Sequence, residues 1–369
     1  MPLYLTDEQA MVADTARGFL ADNAPVAHAR ALRDAGDSAG LSRPLWRQLG
    51  ELGLNGIMIP EADGGLGLGH VEAGVVLEEI GRNLTPSPFL QTAVAGATAL
   101  RGAAPELRER WFPRMVAGEA VVSLALDEGA RHRPDAIACR AERSGNGFRL
   151  TGAKRFVAHG HVVDLLIVVA RVDDAGLALF AVDPGQPGVT RAAERLVDSS
   201  FAATIALDGV EVDGDAMVGG ADAVGATLAA VRTGAAAELN GVAAGATAMT
   251  LDYLRTRKQF GQEIGRFQAL QHRAAHLHSE LTAARAATLK AQQLLDAGDA
   301  RAERAVAVAK AAATLATTLA VQEAVQMHGG IGMTDEHDIG LFMKRARVLA
   351  ELGGDADFHA DALARLSGY

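Results

Sequence analysis

Three observations predict an α+β protein built as a helical stretch, a β stretch and a second helical stretch. Apolar residues recur at helical spacing over residues 1–118, the pattern shifts to short strands between turn residues over 119–217, and long Ala-rich segments fill 218–369. These boundaries give three candidate domains: an N-terminal α-helical domain, a middle β domain and a C-terminal α-helical bundle domain.

The first helix is announced by Thr6 and Gln9, spaced as a capping box before "MVADTARGFL", and a further helix is read in "VEAGVVLEEIGRNL". Strands are read in "GFRLTGAKRFVAHGHVVDLLIVVARV", "LALFAVD" and "FAATIALDGVEV", separated by Gly, Pro and Asp turns. After Gly220 the helical stretches break near "FGQEIG", "DAGDA" and "HGGIG". Phe267, Leu270, Ala274, Leu277, Leu281, Ala284 and Thr288 form a three-four stripe, read as core or subunit interface.

Composition narrows the function classes. A hydrophobic fraction of 49% over 369 residues supports a large core. The single cysteine, Cys139, excludes an internal disulfide and a cysteine-cluster zinc site, and a reducing compartment, the cytoplasm, is expected. A net charge of -10 argues against a nucleic-acid surface. The acidic N-terminus lacks a signal-peptide pattern, and no uninterrupted apolar run of about 18 residues suggests a membrane span.

Four motifs remain. In "PEADGGLGLG" the glycines are spaced G-x-G-x-G and Glu61 and Asp63 would face any phosphate, so a dinucleotide unit is not read there. Arg255, Arg257 and Lys258 gather at a helix end before a glycine break, which an ordinary cap also explains. Gly329, Gly330 and Gly332 in "VQMHGGIGMTDEHD" form an interhelical turn whose backbone could approach a diphosphate, with an arginine supplying charge. His159 and His161 would share one side of a strand, but no third ligand stands out, so no metal site is expected.

Taken together, the chain resembles the acyl-CoA dehydrogenase family of flavoproteins. "PEADGGLGLG", "LTGAKRFV", "YLRTRKQFGQEIGRFQ" and "QMHGGIG" resemble its four motifs, in the family's order. The resemblance implies a middle domain of β-barrel-like form, a C-terminal four-helix bundle, FAD as cofactor and an oligomer. It implies that Arg257, Phe260, Gln268, Gln326, Gly329 and Gly330 lie at positions that reach the FAD of a neighbouring subunit. It also implies an acyl-CoA substrate, dehydrogenated between its α and β carbons, and an electron-transfer flavoprotein as acceptor.

The departures from that resemblance cluster at the chemistry. The family's glutamate base aligns with Gly353, and the alternative base position of some relatives aligns with Val231. Flavin-facing threonines correspond to Asp127 and Ala158, and a substrate-facing serine to Pro134. The pattern resembles the shorter chain of α2β2 acyl-CoA dehydrogenases acting on steroid side chains or other bulky acyl groups, with a paralogous partner supplying the base. Two alternatives stay open: a homo-oligomer using Glu351, just before Gly353, or Glu238, about two turns beyond Val231; and a flavin-free scaffold or acyl-CoA-binding subunit. Asp355 and Asp357 are read as solvating the terminal turn.

Overall fold

The computed structural model describes residues 3–173 and 175–369. Helices come first: α1 (Asp7–Asn23), α2 (Val26–Asp34), α3 (Arg43–Glu51), α4 (His70–Asn83), α5 (Ala97–Leu100) and α6 (Pro105–Val116). Strands follow: β1 (Val122–Ala125), β2 (Arg140–Ser144), β3 (Gly147–Ala158), β4 (Leu165–Val172), β5 (Gly176–Val182), β6 (Val189–Arg195), β7 (Phe201–Val212) and β8 (Met217–Gly219). The rest is α7 (Ala221–Thr256), the short pair β9 (Lys258–Gln259) and β10 (Gln262–Glu263), and α8 (Gln268–Asp296), α9 (Ala302–His328), α10 (Ile339–Glu351) and α11 (Ala356–Leu366).

The linear division into 1–118, 119–217 and 218–369 follows element type. By packing, the chain groups into two compact units: Met1–Ala31, His70–Thr85 and Arg232–Tyr369 form one, and Leu32–Gly69 with Pro86–Val231 the other.

In the helical unit, α1 starts at the capping box, where Thr6 Oγ1 accepts from the Gln9 backbone N–H and Gln9 Oε1 accepts from that of Thr6. Helices α4 and α7 cross so closely that glycine is required at the contact. A Cβ on Gly241 would stand 1.9 Å from the Glu78 carbonyl oxygen, and one on Gly81 would stand 2.1 Å from that of Glu238. Around this crossing Leu239, Val242, Val321, Val325, Phe342 and Leu349 build one buried cluster. Of the α8 stripe, Leu277, Ala284 and Thr288 are buried: Leu277 packs with Leu254, Ala320 and Met327, and the half-buried Leu270 and Leu281 border that cluster. The segment Ala302–Met333 is long and apolar enough to cross a membrane by length and composition, although the sequence suggests no span; 56% of its apolar window is buried in the fold.

In the sheet unit the strand order is β6-β7-β3-β2-β4-β5-β8, with β1 paired in parallel to β4. Among the described residues this is an open path with ends at β6 and β8 rather than a closed barrel, so the barrel-like expectation holds only loosely. β8 meets β5 through just Met217 and Gly219 before the chain leaves into α7. Strand β4 is buried along nearly its whole length, as expected of a central strand. Helix α3, capped by Ser42, ties to the strands through Arg43, which donates to Asp164 and to the Val162 carbonyl. A π-helical turn over Leu90–Gly96 was not legible in the sequence; there the Thr92 hydroxyl exchanges hydrogen bonds with the backbone of Val122.

His159 and His161 follow the end of β3 rather than sharing a strand face, because the chain turns there with His159 at φ 56°. His161 Nε2 lies 3.0 Å from the Ser38 carbonyl oxygen and 3.2 Å from that of Ala39, a structural role.

Candidate functional site

The first surface of interest joins the end of α7 to the start of α8. The Arg257 N–H donates to the Tyr253 carbonyl, and the Arg257 carbonyl accepts from Ile264, so the intervening residues fold back as the β9–β10 hairpin. Its two-residue tip, Phe260 at φ 52° and Gly261 at φ 80°, places both residues in the left-handed region that twisted hairpins favour. Phe260 bears a Cβ there, a strained choice for an aromatic residue, and stands 92% exposed. The Arg257 guanidinium is exposed and makes no ion pair among the described residues.

The glycine turn lies beside this hairpin. Tyr253 stacks on His328 with ring centroids 4.5 Å apart, and His328 precedes Gly329. Gly329 adopts φ 66°, ψ -141°, a conformation open essentially to glycine alone. Gln326, Gly329 and Gly330 are exposed, as is Gln268 at the start of α8. A Cβ at Gly329 or Gly330 would meet nothing within 4 Å of this chain. Packing within the chain therefore does not demand a glycine at 330, whereas close approach of a bulky group from outside would. All six residues expected to face a neighbour's cofactor are on the surface, and an exposed guanidinium and an exposed glycine turn are the kinds of group a diphosphate takes.

The second region is the turn from α10 to α11, where the aligned base position falls. Gly353 is buried at φ 71°, and its carbonyl oxygen accepts from Arg232 Nε at 3.0 Å and lies 3.1 Å from His359 Nε2. Arg232 directly follows Val231, which is 3% exposed in α7. Neither aligned position carries a proton-transfer group. Glu351, the last residue of α10, is half exposed and bridges to Arg347 one turn back, at 2.7 Å. Glu238 is 2% exposed, but Arg345 clasps its Oε1 with two nitrogens at 3.0 and 2.5 Å. One acid is held in solvent and the other is consumed by a guanidinium.

Sequence reasoning passed over Lys310, which lies beneath this turn. Its side chain is fully buried in α9, and Nζ donates to the carbonyls of Ala350 and Gly354, each at 2.9 Å, and to Thr314 Oγ1 at 3.3 Å. Burial lowers its pKa to about 7, against partial support from Glu351 and Asp355. The available signal was a lone lysine inside the apolar run "AVAVAKAAATLA".

The third region is the loop carrying the altered flavin-facing positions. Asp127 Oδ1 lies 2.9 Å from His132 Nδ1, so its carboxylate is engaged within the loop. Glu128 accepts from the backbone of Ala138 and Cys139 and from buried Lys154 at 2.6 Å. Burial raises the Glu128 pKa, but these donors outweigh it and hold the carboxyl below its ordinary range. Ala158 offers only its carbonyl, which accepts from Ser123. At the three positions compared with hydroxyl-bearing residues, the chain carries the Asp127 carboxylate, Pro134 and Ala158, none of which is a hydroxyl donor. These positions therefore lack the hydroxyl donors that would hold a flavin ring.

Helices before and after a mixed sheet, with an exposed arginine at a hairpin and an exposed glycine turn, are the arrangement expected of an acyl-CoA dehydrogenase-like chain. The chain belongs to the acyl-CoA dehydrogenase family. Residues 6–119 match the family's N-terminal domain and residues 219–367 its C-terminal domain. It is 33% identical over 314 residues to the acyl-CoA dehydrogenase FadE27 of Mycobacterium tuberculosis, covering 83% of each chain. Among solved structures it is similar to a chain of the ChsE4–ChsE5 complex from Mycobacterium tuberculosis, with TM-score 0.93, 28% identity and coverage of 100% of this chain and 99% of that one. It is also similar to a chain of a variant of the Tcur3481–Tcur3483 steroid acyl-CoA dehydrogenase, with TM-score 0.91, 31% identity and 98% coverage of both. The family comprises FAD-dependent oxidoreductases acting on CH–CH groups.

Proposed function

We propose that this chain is the smaller subunit of a heteromeric acyl-CoA dehydrogenase, offering Arg257, Phe260, Gln268, Gln326, Gly329 and Gly330 to the FAD of a paralogous partner that supplies the base. The observation that carries the reading is Gly353 itself: the position holds a glycine, not an acid, and its carbonyl is taken up by Arg232 and His359. FAD, when bound, supplies the hydride acceptor for dehydrogenation of the acyl thioester. This chain's residues contribute a cation for the diphosphate, bare backbone for close approach and an aromatic projection on the hairpin tip. A bulky acyl group such as a steroid side chain is the favoured substrate class, supported by likeness to chains of a heteromer and of a steroid acyl-CoA dehydrogenase. An electron-transfer flavoprotein is the favoured electron acceptor, with the cytoplasm as its location.

The test is the flavin-to-chain ratio from the absorbance spectrum, for the chain alone and co-expressed with a longer paralogue of the same family. Near zero alone, with flavin and acyl-CoA oxidation in the complex and loss of both with Arg257→Ala, is the expected result. A ratio near one for the isolated chain, with turnover abolished by Glu351→Gln or Glu238→Gln, would replace the reading with a self-sufficient homo-oligomer. Indifference of the complex to Arg257→Ala would instead favour a flavin-free scaffold.

A further inference from the structure

The turn between α10 and α11 is held at nearly every residue. Arg232 from α7 and His359 from α11 reach the Gly353 carbonyl, Lys310 from α9 reaches those of Ala350 and Gly354, and the Asp355 carboxylate caps α11 by accepting from the Phe358 N–H at 2.8 Å. Lys310 differs from the other members. Its amine is completely buried, and its hydrogen-bond partners are all neutral oxygens. The charged groups acting on it come from the turn and the facing helix: Glu351 and Asp355 favour its proton, Arg232 opposes it, and His359 lies on the same turn.

Ala350 stands in the last turn of α10, so its carbonyl lacks an intrahelical partner and lies at the negative end of the helix dipole. A lysine nitrogen is therefore well placed to join the helix end to Gly354. The same burial makes the ammonium costly, because no carboxylate among the described residues comes within ion-pair distance to offset the loss of water. Opening the turn breaks the amine's hydrogen bonds to the Ala350 and Gly354 carbonyls.

We propose that Lys310 is a positioning residue that makes the turn at the base position proton-sensitive: the turn opens by hydrating the buried amine, opens more readily while the amine is protonated, and tightens as pH rises. The sign follows from linkage. The open turn returns Lys310 to an ordinary lysine pKa, whereas the closed turn holds it near 7, so the open state binds more protons between those values. In that interval each pH unit disfavours opening by up to about tenfold. Neutral lysine retains two N–H donors, enough for the Ala350 and Gly354 carbonyls, so the grip survives loss of the proton. The inference concerns this chain's own fold and stands whether or not a partner supplies the base.

The experiment is hydrogen–deuterium exchange of residues 350–356 in the intact chain between pH 6.5 and 9, corrected for intrinsic amide rates, with α4 as the internal reference. Protection of the turn should climb above pH 7 by up to about tenfold per unit while α4 stays flat. In Lys310→Met the turn should lose both its protection and its pH dependence. If Lys310→Met does not fold, the wild-type titration decides alone. A pH-independent turn in the wild type, or an unchanged pH slope in Lys310→Met, overturns the proposal.

Discussion

At the residue scale, the chemistry of this chain is decided by who holds each carboxylate. Glu238 is buried with two nitrogens of Arg345 on one oxygen, an ion pair that occupies the carboxylate and fixes α7 to α10. Removing one partner of such a pair leaves a charge without compensation, which typically costs about 3–5 kcal/mol. Arg345 keeps a quarter of its side chain exposed, so the lower end of that range is expected for Glu238→Ala, read as a fall in melting temperature. A variant that melts normally yet loses turnover in the complex would show that Glu238 is a base after all. Glu351 is different: its pair with Arg347 is exposed on both sides, of the kind that contributes about 0–1 kcal/mol.

At the element scale, α4 and α7 are joined by backbone contact more than by side chains. Gly241 faces the Glu78 carbonyl, Gly245 that of Arg82, and Gly81 that of Glu238, so each helix sinks into the other's groove. The nearest atom to a Cβ on Gly241 is backbone, which cannot swing aside. Gly241→Ala is expected to force the helices apart at a cost of about 1–3 kcal/mol or more, measurable by denaturant midpoint. An unchanged midpoint would mean that the crossing is looser than described. The acids beside this crossing are also engaged: Glu79 accepts from Arg17 and Arg82, and Glu78 bridges to Arg285 at 2.6 Å. Burial pushes the Glu78 carboxyl above its usual range despite Arg285 and Arg82.

At the scale of the whole molecule, the proposed cofactor surface faces outward while the base position is closed. A tip such as Phe260, strained and almost wholly in solvent, adds little to the chain that carries it. Phe260→Ala should leave the melting temperature of the isolated chain within the range of about 0.5 kcal/mol expected of surface changes. The same substitution should lower flavin retention in the co-expressed complex, read from its absorbance spectrum. Equal flavin retention would remove the hairpin from the interface.

The helix, strand, helix order was legible in the sequence because period and turn chemistry are local: the capping box at Thr6, the alternation in the strands and the stripe on α8 depend on residues close in the chain. The family motifs were legible for the same reason, and so was the absence of an acid at Gly353 and Val231. The sequence could not show that the N-terminal helices divide between two units, or that β6 and β8 leave the sheet open, because these depend on contacts between distant segments. Nor could it show that Arg345 occupies Glu238, or that Lys310 reaches across to the turn at Gly354, pairs separated by 107 and 44 residues. Sequence by itself determined which groups this chain has and lacks; only the tertiary structure decided which are free to act, because burial and partnership are set by what the fold brings alongside.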